Sequence, residues 1–442
     1  MQVVADLHLH SKYSRAVSRD MVLAVMAEWG EKKGIDLLGT ADWTHPMWFK
    51  ELETQLEEDG EGIFKVKGSE SSTRYVLTCE ISNIYSQGGQ GRRIHTVFMA
   101  PSLETVSKIN GELKRRGGNL MSDGRPILGL TVSEMCEIVW EIDEKVIVVP
   151  AHIWTPWFSM FGSKSGFDSV EECFGKYADR ITAVETGLSS NPVMNWRIKD
   201  LEKRSIISFS DAHSPRKLGR EVTVFEFEGK KISFGDIAEA FKREGKGKCR
   251  ISYTVEFHPE EGKYHYTGHR NCGVVQSPEE TRKKGAGCHV CGKSLTVGVM
   301  HRVEELAEVK EEMKSVEKKS EVGVVGHYHP KDKTRPPYVM LVPLQEIISE
   351  AFEVGVNSKR VQEMYEQMIA QIGSEFDVLL KVKVEEIAKV AGERVAEAVE
   401  KVRKGEIEMN PGYDGVFGEV KIWPVGEAGG EAKVATEQQS LF

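Results

Sequence analysis

The sequence predicts an α/β protein: a mainly parallel sheet or barrel first, then a small zinc-binding module, then a C-terminal helical region. Three observations carry this. Short apolar runs alternate with helical patterns through about residue 250, which is the signature of βα units. A block rich in His and Cys follows, and beyond residue 340 the apolar residues recur with helical spacing. The 442 residues are enough for two or three domains. The divisions fall at 1–248, 249–302, 303–410 and 411–442.

The first strand holds Asp6-Leu7-His8-Leu9-His10. Side chains alternate along a strand, so His8 and His10 project from one face and can grip a single divalent metal. Further strands are expected at Ile35–Thr40, Tyr75–Ile81, Ile94–Met99, Val146–Val149, Ala183–Glu185 and Ile206–Ser210. Helices are expected at Arg19–Lys33, Leu103–Arg116, Thr131–Ile142, Ser169–Tyr177 and Ser233–Glu244. Nearly every strand ends at or beside a group able to ligate a metal: Asp42 and His45, Glu80, His95, His152, Asp211 and His213. In a parallel barrel the strand ends share one rim, so these side chains can converge. Each alone has a plainer reading as a cap or a hydrogen-bonded core residue.

His8-Leu9-His10, Glu80, His95, His152 and Ser210-Asp211-Ala212-His213 resemble the motifs of the polymerase and histidinol phosphatase (PHP) superfamily. The resemblance implies a distorted (β/α)7 barrel that hydrolyses phosphoesters with a cluster of two or three metals. It implies that His8, His10 and Asp211 hold one metal, with His213 on a second. Glu80 would bridge two metals, and His95 and His152 would serve the third. The catalytic set is then His8, His10, Glu80 and Asp211. Two departures stand out. Arg15 lies near the place where the family has an Asp after the His pair. The family's Thr-Asp-His reads Thr40-Ala41-Asp42-Trp43-Thr44-His45, placing Asp42 at the His position with His45 as an additional candidate.

Between 249 and 302 the spacing His269-x-x-Cys272, fifteen residues, Cys288-x-x-Cys291 is that of a structural zinc site. His265 and His289 are alternative ligands. Four protein ligands close a tetrahedral ion and leave no place for water, so no chemistry is assigned there. Seven cysteines, an odd number, suit a reducing compartment. The charged run after Arg302, to about Ser320, reads as a solvated helix, and His327-Tyr328-His329-Pro330 as a loop. Arg335-Pro336-Pro337 marks a boundary.

Leu344, Ile347, Ile348, Ala351 and Phe352, then Val361, Met364, Tyr365, Met368, Ile369 and Ile372, form apolar helical stripes, so the methionines belong to the core. Ile387–Ala396 loosely resembles a helix-hairpin-helix, which grips DNA phosphates, but lacks the second glycine of its turn. A plain helical hairpin is the other reading. In Asn410–Gly418, a glycine-rich stretch, Tyr413 or Phe417 can stack on a base, or the segment is a rigid turn. Gly426–Glu437 is expected to be disordered. It ends in Gln438-Gln439-Ser440-Leu441-Phe442, whose Gln438, Leu441 and Phe442 resemble a truncated sliding-clamp (PCNA) docking motif.

The formal charge of −9 does not announce a nucleic-acid binder, yet Gly229–Arg302 holds 14 Lys and Arg against 8 Asp and Glu. That local excess of +6 makes either a phosphate-binding face or a solvated basic surface. No apolar run approaches the roughly 20 residues of a membrane span, and a soluble, intracellular, nucleoid-associated protein is expected. The order of barrel, His/Cys3 module, helical region and clamp-like tail resembles archaeal endonuclease Q. That resemblance implies a DNA repair enzyme nicking on the 5′ side of deaminated bases (uracil, hypoxanthine, xanthine) and of abasic sites. The ligand chemistry suits Zn, Mn or Mg, with the imidazoles leaning toward Zn or Mn. Trp154, Trp157, Phe158 and Phe161 form either an aromatic wall for a flipped base or a buried cluster. A small-molecule phosphatase of the same superfamily and a non-catalytic DNA-binding scaffold are the alternatives.

Overall fold

In the computed structural model, which describes residues 1–243, 245–308 and 313–423, the strand Gln2–Asp6 occupies the middle of the architecture. It pairs in parallel with Leu37–Gly39, which pairs in parallel with Arg74–Gln87. On its other side Val222–Phe227 runs antiparallel. From there the sheet continues through Cys249–Glu256, Tyr338–Met340, Val325–Tyr328 and Val316–Lys319, reaching thirteen strands.

The sheet is therefore mixed rather than mainly parallel. Local chemistry explains the largest departure. Arg74–Gln87 turns straight back into Gln90–Ala100 through Gly88 and Gly89, whose φ values of 62° and 75° suit the tight left-handed hairpin turn that glycine favours. The returning strand then pairs antiparallel with Ile147–Pro150.

Ala183–Glu185 and Ser205–Ile207 form a separate parallel pair. It is stitched to the main sheet on both sides: Ile153 N donates to Glu185 O at 3.1 Å, and Ser208 N to Thr223 Oγ1 at 3.0 Å. The strands thereby surround one apolar interior containing Val3, Leu7, Val76, Val97, Val149 and Ile207. Helices Leu23–Lys33, Leu103–Arg115 and Val132–Ile142 cover the outside. Their starts follow local capping: Ser102 accepts from Thr105 N, and Thr131 and Glu134 form a reciprocal capping box.

Cys249–Glu256 belongs to this sheet, although a module boundary is expected before it. Its alternation lets it extend the register of Val222–Phe227. The charged run also differs from expectation: helix Val299–Leu306 ends early, and Val316–Lys319 is an exposed edge strand whose Glu and Lys keep a bare edge soluble. Likewise His327 and Tyr328 lie in a strand, with the His327 ring stacked 4.8 Å from Tyr338.

Five helices, Leu344–Ala351, Lys359–Gln371, Glu375–Leu380, Val384–Ala391 and Glu393–Lys404, bury Tyr365 and Met368 as their spacing predicts. Two buried cations secure them. Lys33 Nζ lies 2.7 Å from Glu375 Oε2, whose other oxygen accepts from Leu344 N. Arg403 donates to the carbonyls of Leu379, Val378, Val382 and Val322. Gly392, at φ 85°, is the single residue between the last two helices. The Gly426–Glu437 stretch and the peptide with Gln438, Leu441 and Phe442 lie outside the described residues. No described helix is long and apolar enough to cross a membrane.

Candidate metal centre

Glu80 stands at the middle of the strand Arg74–Gln87, fully buried, with its carboxylate between two groups of ligand atoms. Its Oε1 lies 2.7 Å from His95 Nδ1 and 3.0 Å from His152 Nε2. Its Oε2 lies 3.2 Å from His10 Nε2, which is also 3.1 Å from Asp211 Oδ1. His8 Nε2 completes the second side at 3.8 Å from Asp211 Oδ1 and 3.7 Å from Glu80 Oε1. The ligand atoms of His8, His10 and Asp211 lie within 4.8 Å of one another, as do those of Glu80, His95 and His152.

These atoms are arranged for a cation. His8 Nε2, His10 Nε2 and Asp211 Oδ1 are buried without a well-formed hydrogen bond. Polar atoms left so are costly unless something between them satisfies all three. Their other edges are spoken for. His8 Nδ1 lies 2.9 and 3.0 Å from the two oxygens of Glu185, and His10 Nδ1 lies 3.1 Å from Asp42 Oδ1. Such carboxylate–histidine pairs fix which ring nitrogen faces inward.

The electrostatics agree. Burial alone would raise the carboxyls of Glu80 and Asp211, but the surrounding histidines, with Arg125 beside Glu80, hold both well below the usual range. Burial drives His95 down to about 4, so its ring is neutral near pH 7 and offers a lone pair. Burial also works against charge on His8 and His10, yet Glu185 and Glu80 around the one, and Asp211 and Asp42 around the other, raise both. The site draws positive charge. Its backbone is bent to suit: Asp42, His152 and Asp211 adopt φ of 43°, 31° and 47°, a region that side-chain-bearing residues seldom enter.

A second group gathers elsewhere. His269, Cys272, Cys288 and Cys291 offer ligand atoms within 4.8 Å of one another. His269 ends the hairpin strand Thr267–His269, and Cys291 Sγ lies 3.5 Å from its Nδ1. Burial opposes the Cys288 thiolate, but backbone hydrogen bonds from Cys291 and Val290 and the His269 ring bring the thiol down to about 6, the state that a metal needs. The alternatives His265 and His289 are not in this group.

Residues 343–406 match the family model described as the MJ0043 C-terminal domain. The uncharacterised protein MJ0043 of Methanocaldococcus jannaschii is 35% identical over 276 residues, 61% of this chain. The chain spans only 31% of that protein's length. The lesion-specific endonuclease PfuEndoQ of Pyrococcus furiosus has a solved structure with a TM-score of 0.79 and 34% identity, covering 95% of both chains. A solved complex of endonuclease Q with a 27-mer duplex carrying an abasic lesion at its active site gives a TM-score of 0.80 at the same identity. That complex matches over 95% of this chain and 96% of its own. The chain belongs to the endonuclease Q family.

The match supports a metal-dependent endonuclease, and the chain carries His, Cys, Asp and Glu groups able to hold metal ions. Three expected ligands nevertheless lie outside the two triads. Asp42 supports His10 instead, and its Oδ2 accepts from Ser11 N, Ser11 Oγ and Ser14 Oγ. The left-handed backbone at Ala41 and Asp42 turns the carboxylate behind the imidazole. His45 precedes the helix Pro46–Gln55, where its ring stacks 4.4 Å from Tyr13. His213 sits beside the first triad, its ring 4.8 Å from His10 and its Nδ1 2.8 Å from Asp211 O.

Two charged residues of this endonuclease Q site are not marked out by sequence reasoning. Glu185 ends an expected strand, like the chosen ligands, and that position is the signal it carries; it also accepts from His152 N at 2.8 Å. Arg125 Nη1 lies 2.9 Å from Glu80 Oε2 but comes from a loop with no periodicity to mark it. The aromatic residues divide. Trp154 and Phe161 are buried against each other, with Trp154 Nε1 donating to Asn195, while Trp157 and Phe158 are half-buried. The Phe158 ring lies 4.7 Å from His95. In the glycine-rich stretch, Asp414 accepts from Arg270 N and Thr296 Oγ1, holding the turn on the His/Cys module and leaving Phe417 exposed.

Proposed function

We propose that this chain is a DNA repair endonuclease that hydrolyses the phosphodiester on the 5′ side of deaminated bases and abasic sites at a multinuclear metal centre. The observation that carries the reading is Glu80, one carboxylate with an oxygen on each of two ligand triads, on a chain similar along 95% of its length to lesion-specific endonucleases. We read the strand ring around Val3, Val76 and Ile207 as the distorted (β/α)7 PHP barrel, with the triads at one rim.

Divalent cations held by His8, His10 and Asp211, and by Glu80, His95 and His152, would supply an activated water and neutralise the phosphate. The chain's own part is positional. Glu185 and Asp42 lock the two leading imidazoles from behind, and Arg125 is near enough to Glu80 to offer charge to a phosphate oxygen. Phe158, half-buried beside His95, and the half-buried Trp157 next to it in sequence suit one wall of a pocket for an extruded base.

The divisions 1–248, 249–302, 303–410 and 411–442 are read as barrel, structural zinc module, helical DNA-binding region and tail. Phe417, exposed on a pinned turn, and Tyr413 beside it are candidates for stacking on DNA. The Gln438, Leu441 and Phe442 peptide is read from sequence as the segment that docks a sliding clamp, and a DNA substrate places the protein inside the cell. The test is a labelled duplex carrying one uracil or one abasic site, incubated with the protein and a divalent metal. A single nick 5′ of the lesion with an intact control supports the reading. Release of free base, or equal cutting of the control, rejects it.

A further inference from the structure

A small pocket opens where the strand Ser205–Ile207 begins. Asp211 follows the other end of that strand, about 15 Å further along at the rise of an extended chain. This pocket is therefore separate from the metal centre, and its ligand chemistry is independent of the reaction assigned to that centre.

Three guanidinium groups line it: Arg204, Arg243 and Arg335. Their remaining walls are largely apolar, including Trp196, Ile206 and Pro336. Each arginine is held in place by part of its fork. Arg335 donates to the carbonyls of Arg204, Leu201 and Glu202. Arg204 donates to the carbonyls of Asp200 and Ala178. Arg243 is fastened through one terminal nitrogen to Asp332 and Thr334.

Two N–H groups remain over. Arg204 Nε and Arg243 Nη1 are buried with no hydrogen-bond partner among the described residues. Among the described residues, the carboxylates in contact with these arginines are Asp332, on the far nitrogen of Arg243, and Asp200, 3.7 Å from Arg204 Nη1. Neither satisfies the two open donors. Three cations sharing a small hollow also repel one another: burial, and next the charge of Arg243, lower Arg335 to about 10. An arrangement that costs electrostatic energy in the empty state gains when an anion with several acceptor oxygens enters.

We propose that this pocket binds a phosphate dianion: inorganic phosphate or the terminal phosphate of a small phosphomonoester. The pocket is small and walled by Trp196, Ile206 and Pro336, which suits one end group rather than a phosphodiester carrying a sugar on each side.

Two measurements on the full-length, metal-loaded protein test this. In crystals soaked with tungstate, anomalous scattering should place an anion between Arg204 Nε and Arg243 Nη1. In titrations followed by thermal midpoint, Arg243→Gln should weaken the response to inorganic phosphate about tenfold or more. Asp332→Asn should instead strengthen it several-fold, because it frees a cation without removing a donor, and a merely structural role for the arginines would not predict that sign. Glycerol phosphate should act as inorganic phosphate does, and dimethyl phosphate should not. Tungstate only at the metal centre, the same response in all three proteins, or equal binding of the diester would each overturn the assignment.

Discussion

Gly187 lies against His152 so closely that a Cβ built on it would stand 2.3 Å from the Cβ of the histidine. Gly187 also has a φ of 59°. Both the space and the backbone therefore exclude a side chain. Gly187→Ala is expected to cost about 1–2 kcal/mol in backbone strain alone, and more as His152 is displaced from Glu80. The expected result is a loss of nicking of at least about a hundredfold with one metal fewer bound, read by metal analysis of the purified protein. Full metal content and full activity would show that His152 is not held as described.

Asp42 and His45 should behave oppositely on mutation. Asp42 fixes the His10 ring and gathers Ser11 and Ser14, so Asp42→Asn is expected to lower metal affinity about 10- to 100-fold. His45 packs on Tyr13 away from both triads. His45→Ala should cost about 1–2 kcal/mol of stability and leave metal affinity unchanged. A metal titration of the two variants decides between them.

The His/Cys module should depend on its ion. Cys288→Ser removes the ligand that is most readily ionised and should reduce zinc content by one equivalent. Because metal binding and folding of such modules are coupled, protease sensitivity should rise within 265–298 while the large central sheet stays resistant. Unchanged zinc content would contradict the four-ligand site.

Two fully buried carboxyls that belong to neither ligand triad, Glu221 and Glu256, give a further pH dependence. Burial raises both, Glu256 to about 7 and Glu221 by repulsion from Glu256 as well. A carboxyl raised on folding binds its proton more tightly in the native state. Its contribution is present below the unfolded value near 4.5 and is lost as pH climbs toward the folded value. Stability should accordingly fall between about pH 5 and pH 7. Glu221→Gln should flatten that slope, adding about 1–3 kcal/mol at pH 8 and little at pH 5, as urea unfolding at the two pH values would show. An unchanged slope would contradict it.

Particular residues show how much of the site is legible in the sequence. His8 and His10 are legible because strand alternation places both on one face, and Glu80, His95, His152 and Asp211 because each stands at or beside the end of an expected strand. Asp42 lies outside both triads, at a left-handed backbone position with its carboxylate against His10 Nδ1, and periodicity carries no information on that. Arg125 and Gly187 are hidden for a similar reason: their importance comes from contacts far along the chain, Arg125 on Glu80 and Gly187 on His152. Strand–helix alternation marks many of the elements through residue 240 but not their direction, and it misses helix Pro46–Gln55 and the strand Val222–Phe227 beside the first strand. Two glycines at 88 and 89 turn an expected parallel neighbour into a hairpin. The charged stretch after Arg302 misleads because an exposed edge strand and an exposed helix draw on the same Glu and Lys residues.

The most direct test of the central claim is the rate at which Glu80→Gln nicks a duplex carrying one abasic site, beside wild type at saturating divalent metal. Glutamine keeps the shape of the side chain but cannot join two cationic groups. If the centre works as one unit through that carboxylate, the variant should cut at least about a thousandfold more slowly while its thermal midpoint stays near that of wild type. A variant that nicks beside the lesion at the wild-type rate would contradict the account.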